Sequence, residues 1–239
     1  MLLQTLNSNQ LKLIAVFTMI SDHIGYLISL LSSSLAAQTA SSILRVIGRT
    51  AFPIFVFLLT EGFFHTSNRR KYILRIGIFA LLSEIPYDLL FAGTLFSRNI
   101  QNVFFTLFFS LCMMSLLEHF QHQFSKRASL MLQLFTVLFF CVLSCFLNTD
   151  YSVYGILTAA AFFLFHENRG CQCLFGFLPL FLDLTWNGLF LPYTPGLLIG
   201  FLLIYLYNGK RGKRNFGYFF YFFYPVHLLL LDLILKILY

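Results

Sequence analysis

Leu11–Ile28 reads LKLIAVFTMISDHIGYLI. The run is apolar and long enough to enter a bilayer, yet Asp22 and His23 sit side by side in its middle. Ionisable groups at membrane depth are costly unless they face protein or water, so the pair marks a candidate functional site. The rest of the chain must then supply a polar pocket for it.

The surrounding sequence shares the same character. Of 239 residues, 59% are hydrophobic and 10% charged, against roughly 25% charged in a soluble domain. The deficit runs along the whole length, which excludes a soluble domain with one anchor. There is room for about nine spans of ~20 residues, with eight to ten as the range. The expected fold class is all-α: a polytopic transmembrane helix bundle in a single domain, residues 1–239. Expected spans fall near 11–32, 43–64, 72–92, 102–118, 129–147, 152–165, 172–191, 196–208 and 216–238, with the Ser- and Ala-rich 33–42 as a loop. The two short segments, 152–165 and 196–208, read as tilted helices or protein-lined half-spans.

The net charge of +7 does not imply nucleic acid, because Lys and Arg gather in the cytoplasmic loops of membrane proteins. With the N-terminus in the cytoplasm and nine spans, one side collects Lys12, Arg69, Arg70, Lys71, Arg75, Lys126, Arg127, Arg169, Lys210, Arg211, Lys213 and Arg214. The other keeps Arg45, Arg49, Arg98 and Lys236. This bias supports a multi-pass membrane protein, in contact with lipid. Ser32–Ala40 (SSSLAAQTA) has the small residues of a signal cleavage region, but a basic leader is nearly absent and Asp22-His23 interrupts the apolar core. A retained first helix is expected. The five cysteines lack ligand spacing, and no metal is predicted.

Several further polar groups fall within spans. Arg45 and Arg49 are spaced i,i+4, as are Glu84 and Asp88, and Asp183 and Asn187. If the second and third spans are antiparallel neighbours, Arg49 falls at the depth between Asp88 and Glu84, forming an ion-pair clamp or part of a reactive site. His227, like His23, falls near mid-depth at ~1.5 Å rise per residue. Sequence neighbours on a helix point ~100° apart, so Asp22 pairs either with His23 or with an arginine. A neutral imidazole can take a proton from an attacking amine or hydroxyl, which makes His23 the candidate base. On the basic side, Glu61 and His65 join the 69–71 run, and the Gly-punctuated turn at 207–212 offers cations and free N–H groups for phosphate or anionic lipid. Walker A, Rossmann, H-E-x-x-H and G-x-S-x-G patterns are absent.

Motifs spread along nearly the whole chain resemble the TraX family, whose namesake is a conjugation protein that acetylates the N-terminus of pilin. They are Leu11-Lys12, Met19, Asp22-His23, Gly25, Arg45, Gly48-Arg49, Ala51–Phe55, Glu61–Phe63, His65-Thr66, Tyr72 and Arg75. They continue with Phe79-Ala80, Ser83-Glu84, Pro86, Asp88, Asn102-Val103, Phe105–Leu107, Asp150-Tyr151, Leu206–Gly209, Arg211-Gly212, Phe223–Pro225 and His227.

The resemblance implies an acyltransferase of the bacterial cytoplasmic membrane that takes acetyl from cytosolic acetyl-CoA and passes it to an acceptor at the membrane. That acceptor is a pilin-like peptide amine, a glycan or a lipid. The implied catalytic group is His23 with Asp22, Arg49 and Arg45. An acceptor pocket would involve Glu84, Asp88, Asn102, Thr106, Asp183, Tyr224 and His227, with Asn102, Thr106, Arg49 or Tyr224 as donors to the thioester oxyanion. Acyl-CoA would be held by Glu61, His65, Arg69, Arg70, Lys71, Arg75, Asn208, Lys210 and Arg211. Two other classes compete: a proton-coupled transporter whose buried Asp, Glu, Arg and His line a path, and a non-catalytic assembly factor.

Overall fold

The computed structural model describes residues 4–212 and 218–238, so Lys213 and Arg214 lie outside the described residues. The described chain forms ten helices: α1 Ser8–Leu31, α2 Leu35–Gly48, α3 Ala51–His65, α4 Arg69–Ala92, α5 Val103–Gln123, α6 Lys126–Phe146, α7 Ser152–Leu164, α8 Arg169–Trp186, α9 Phe190–Tyr205 and α10 Phe219–Leu238. Five segments are long and apolar enough to cross a membrane by length and composition, one of them the joined run Leu35–His65. The chain is a multi-pass, all-helical membrane protein, and about nine passes fit it.

The centre of the bundle is α3. Its sequence, AFPIFVFLLTEGFFH, is apolar on all sides except at its last turn, and such a helix belongs in a core. Phe57, Ile54, Val56 and Phe63 are fully buried. Around it α1, α10, α4, α5, α7, α8, α9 and α2 pack in a closed ring, each against the next. Outside the ring lies α6, against α5 and α7. It buries little beyond Phe140, Cys141 and a strip of Ser and Thr, and exposes Met131, Leu134, Phe135, Leu138 and Phe139. That apolar outer face suits lipid.

Three expectations are corrected. Residues 33–42 are not a loop: the Ser34 side chain accepts from the Ala37 N–H and starts α2 at Leu35. Small polar residues permit a helix once a cap is present. The expected span 43–64 is two helices, divided at Arg49-Thr50. Pro53 has no N–H to offer the Arg49 carbonyl, so the ladder is interrupted there. The Thr50 hydroxyl donates to the Gly196 carbonyl of α9 at 2.9 Å. The third correction concerns neighbours. α4 packs on α5 and α10 instead of lying along α3; the two touch near their connecting turn, where the Tyr72 hydroxyl reaches the Leu59 carbonyl.

A short strap closes one end of the bundle. Leu6 bridges Tyr207, the Asn208 N–H donates to the Leu6 carbonyl, and the Ser8 N–H donates to the Lys210 carbonyl. A capping box between Asn7 and Gln10 then starts α1. The basic 207–211 turn is thereby fixed to the start of the helix that carries His23.

Candidate functional site

Asp22 and His23 diverge, as the ~100° step of a helix requires. Asp22 takes the Arg49 guanidinium at 2.7 Å. Gly48 makes this approach possible, because a Cβ there would occupy the space of the Asp22 carboxyl. Gly25 does the same one turn on: a Cβ would lie 2.9 Å from both the Arg45 side chain and the Ser41 carbonyl. The Arg49 guanidinium also sits 5.6 Å from the Tyr193 ring centre. Arg45 and Arg49 are close enough to His23 for their charges to act on it. Each has a buried Nε with no hydrogen-bond partner among the described residues.

His23 turns to α10 instead. Its Nδ1 lies 2.8 Å from His227 Nε2, with the two rings nearly coplanar at 9°. His227 Nδ1 in turn lies 2.9 Å from the Phe223 carbonyl one turn back. Phe91 packs edge-on to His23 at 5.7 Å, and Phe223 and Tyr224 flank His227. His227 and Tyr224 are buried, whereas His23 is partly buried.

The expected clamp of Arg49 with Glu84 and Asp88 does not form. Glu84 accepts from both the backbone and the side-chain amide of Asn102, and Asp88 accepts from the Ser97 N–H at 2.7 Å. The reason is the packing described above: α4 belongs to α5, not to the Arg49 side of the bundle. Asn102 is fully committed. Its side-chain amide donates to the Ala80 carbonyl and Glu84, while its oxygen caps α5 through the Phe104 N–H. Thr106 donates to the Asp150 carbonyl. The expected oxyanion donors Asn102 and Thr106 therefore have their protons engaged, which leaves Arg49 and Tyr224 from that set.

What meets Arg49 instead is the α6–α7 loop. Tyr151 stacks on Phe52 at 3.6 Å, and Arg49, Tyr151 and Asp183 line one small cleft. Asn148, Tyr151 and Ser152 all have positive φ, a conformation L-residues hold only when packing enforces it. The Asp150 carboxyl in this loop is pushed up to about 6 by burial, against the opposing pull of Arg49. Asp183 accepts from the Asn187 side chain at 2.9 Å. Asp150 and Tyr151 were not among the expected site residues; positive φ in a short polar loop leaves no mark in composition.

At the end of the bundle where α1 starts and α3 stops lies a cavity of about 550 Å³. Of the residues expected to hold acyl-CoA, Glu61, His65, Arg75 and Arg211 line it, together with Lys12, Tyr72, Tyr218 and Tyr221. The Arg75 guanidinium sits over the Tyr218 ring at 5.1 Å. Other expected members stand apart. Arg69 pairs with Glu118 at 2.5 Å, Arg70 and Lys71 are exposed on the first turn of α4, and Asn208 and Lys210 shape the turn outside the lining. Glu61 faces Arg169 at 3.8 Å, an arginine that also lies over Phe57 at 4.5 Å. The cavity floor includes Phe104, whose ring meets Tyr224, which meets His227.

A helical bundle with a paired histidine couple, one ring buried and one half-buried, an arginine held by a carboxylate, and a basic cavity at one end defines a polytopic membrane protein with an internal polar site. The chain matches the family described as TraX protein over residues 7–235. It belongs to the TraX family. It is also 30% identical to the probable fimbrial assembly protein FimC, serogroup H1, of Dichelobacter nodosus, over 93% of each chain. No solved structure matches the chain.

Proposed function

We propose that this protein is an integral membrane acyltransferase that moves an acetyl group from cytosolic acetyl-CoA to an amine or hydroxyl presented at the membrane. The observation that carries the reading is the spacing of its two polar centres on one helix. Lys12 lines the cavity and His23 belongs to the histidine pair. Eleven residues separate them, or ~16 Å of helix. A pantetheine arm spans a similar ~15–20 Å by the reach of a comparable extended chain. Lys12, Arg75 and Arg211 would take the phosphates, and the tyrosines of the cavity offer faces for a base. The thioester would then pass the Phe104–Tyr224 layer.

The chemistry follows. His23 takes a proton from the acceptor nitrogen or oxygen, whose lone pair forms a bond to the thioester carbon. The unpaired Nε–H groups of Arg45 and Arg49 suit the oxyanion that develops. The C–S bond breaks, and the proton on His23 passes to the departing thiolate to give free CoA. The fimbrial assembly name of the relative makes the N-terminal amine of a fimbrial subunit the first acceptor to test.

The test is transfer of labelled acetyl from acetyl-CoA, beside calorimetric binding of acetyl-CoA to purified protein in detergent. Wild type is expected to bind and transfer. Arg75→Gln with Arg211→Gln should weaken binding by about 10²- to 10⁴-fold, since each of the two lost hydrogen bonds to a charged group contributes about 1.5–3 kcal/mol. His23→Ala should bind and lose transfer by about 10²–10⁴-fold. Folded wild type that binds no acetyl-CoA would overturn the proposal, and substrate-dependent flux in liposomes would favour a transporter.

A further inference from the structure

We infer that His227 fixes the tautomer of His23, so that the bare nitrogen available for proton transfer is His23 Nε2. The tautomer follows from the contacts alone; its use in transfer rests on the acyltransferase reading.

The argument starts at the Phe223 carbonyl, which can only accept. His227 Nδ1, 2.9 Å away, therefore carries a hydrogen. A neutral imidazole has one N–H, so His227 Nε2 presents a lone pair. That lone pair faces His23 Nδ1 at 2.8 Å, and two lone pairs do not approach so closely. His23 Nδ1 must then be the donor, which leaves its Nε2 bare. For two neutral rings no other arrangement satisfies both contacts.

Serine-protease-type sites use a carboxylate to hold a histidine in the required tautomer. Here the adjacent carboxylate, Asp22, is turned to Arg49, and His227 fills the orienting position as a neutral acceptor. Such a partner suits membrane depth, since it adds no charge in the resting state. It also gives the abstracted proton a second place. When His23 Nε2 gains a proton from the acceptor, the ring becomes a cation donating through Nδ1 to His227 Nε2. The proton between the rings can shift to His227, leaving His23 neutral with its hydrogen on Nε2 and the charge on His227. The reverse shift restores the cation on His23, and Nε2–H then protonates the thiolate. One proton enters from the acceptor and one leaves with CoA, and the pair ends as it began. His227 is a positioning residue in this scheme, with no contact to the reacting atoms.

The experiment is ¹⁵N NMR of histidine-labelled protein in detergent, with the His23 signals assigned by their loss in His23→Gln. Wild type should show His23 protonated at Nδ1 and bare at Nε2. His227→Gln keeps an acceptor oxygen near the Nε2 position, so the His23 tautomer should persist and transfer should fall less than about tenfold. His227→Leu removes the acceptor. The His23 tautomer should then become mixed, and the transfer rate should fall about 10²-fold at unchanged KM for acetyl-CoA, the lower end of a general-base effect. A wild-type His23 protonated at Nε2, or a His227→Leu protein with unchanged tautomer and rate, would overturn the inference. The wild-type spectrum decides the tautomer even if His227→Leu does not fold. A protein that shows the expected tautomer and transfers no acetyl group would retain the pair and refute the acyltransferase reading alone.

Discussion

Asp22→Asn separates the two partners that sequence allowed for Asp22. The structure gives this carboxylate to Arg49 at 2.7 Å, so the substitution should act on stability first. Removing one partner of a buried ion pair costs about 3–5 kcal/mol, because the other charge is left uncompensated. Two features lower that figure here. The side chains retain 20% and 17% exposure, and the charges of Asp150 and Asp183 also reach Arg49. The expected loss is about 2 kcal/mol, or a fall in unfolding temperature of about 4–8 °C for a chain of this length. With Cys112, Cys145, Cys171 and Cys173 replaced by Ser, the buried Cys141 reacts with a thiol-reactive fluorophore only on unfolding and so reports it in detergent. The reasoning requires coupling as well as loss. Arg49→Gln alone should cost a similar amount, and the double variant clearly less than the sum, since neither charge is then stranded. Additive losses would refute the pairing, as would Asp22→Asn melting like wild type.

Two further substitutions probe the supports of the site. Asn102→Ala removes the cap of α5 and the side-chain N–H groups that reach Glu84 and the Ala80 carbonyl, leaving Glu84 only the backbone N–H of residue 102; about 3 kcal/mol of stability should be lost, with acetyl-CoA binding unchanged in the protein that still folds. Asp150→Asn addresses pH. Burial raises this carboxyl to about 6, so the folded state holds its proton more tightly than the unfolded chain. The stability linked to that proton is complete below the unfolded value near 3.8 and is lost as pH rises through about 6. Unfolding temperature measured from about pH 4 to about pH 7 should therefore fall more in wild type than in Asp150→Asn; parallel curves would count against the buried carboxyl.

The helical class and the central polar pair were legible in the sequence because membrane cost is a property of composition and position. Leu11–Ile28 is long and apolar enough to be a span, and Asp22-His23 within it are tolerated only facing protein or water. Which partner each residue takes was not legible. The 100° step permits both Asp22–His23 and Asp22–Arg49, and the choice depends on the side of α1 that meets Gly48. Glu84 and Asp88 were assigned to Arg49 because α3 and α4 are neighbours in sequence. Their separation follows from the all-round apolarity of α3, which draws it to the centre while α4 stays in the ring. The helix at 35–48 was hidden by its Ser and Ala content, which reads as loop until Ser34 is recognised as a cap. Asp150 and Tyr151 entered only as a motif of the family resemblance; composition and spacing gave them no role, since only the folded path of the 146–152 loop brings them to Arg49.

The central position of α3 links the two ends of the site. At one end Glu61 and His65 line the cavity, with Glu61 facing Arg169 of α8. At the other end the break before Ala51 presents Arg49 to Asp22. The 15 residues between form a rod of ~22 Å, packed on all sides and so fixed in length and rotation. A second rod, α1, runs beside it and carries Lys12 and His23. Because Asp22–Arg49 joins these two rods on the far side of the cavity, and the Leu6–Tyr207 strap ties the start of α1 to the cavity wall, the distance from cavity to histidine pair is held at both ends. On the acyltransferase reading proposed above, a donor with a fixed arm length requires that constancy. It explains why a buried ion pair is kept in a bundle whose stability comes from apolar packing: the pair sets register between α1 and α2–α3, and the register sets where His23 stands.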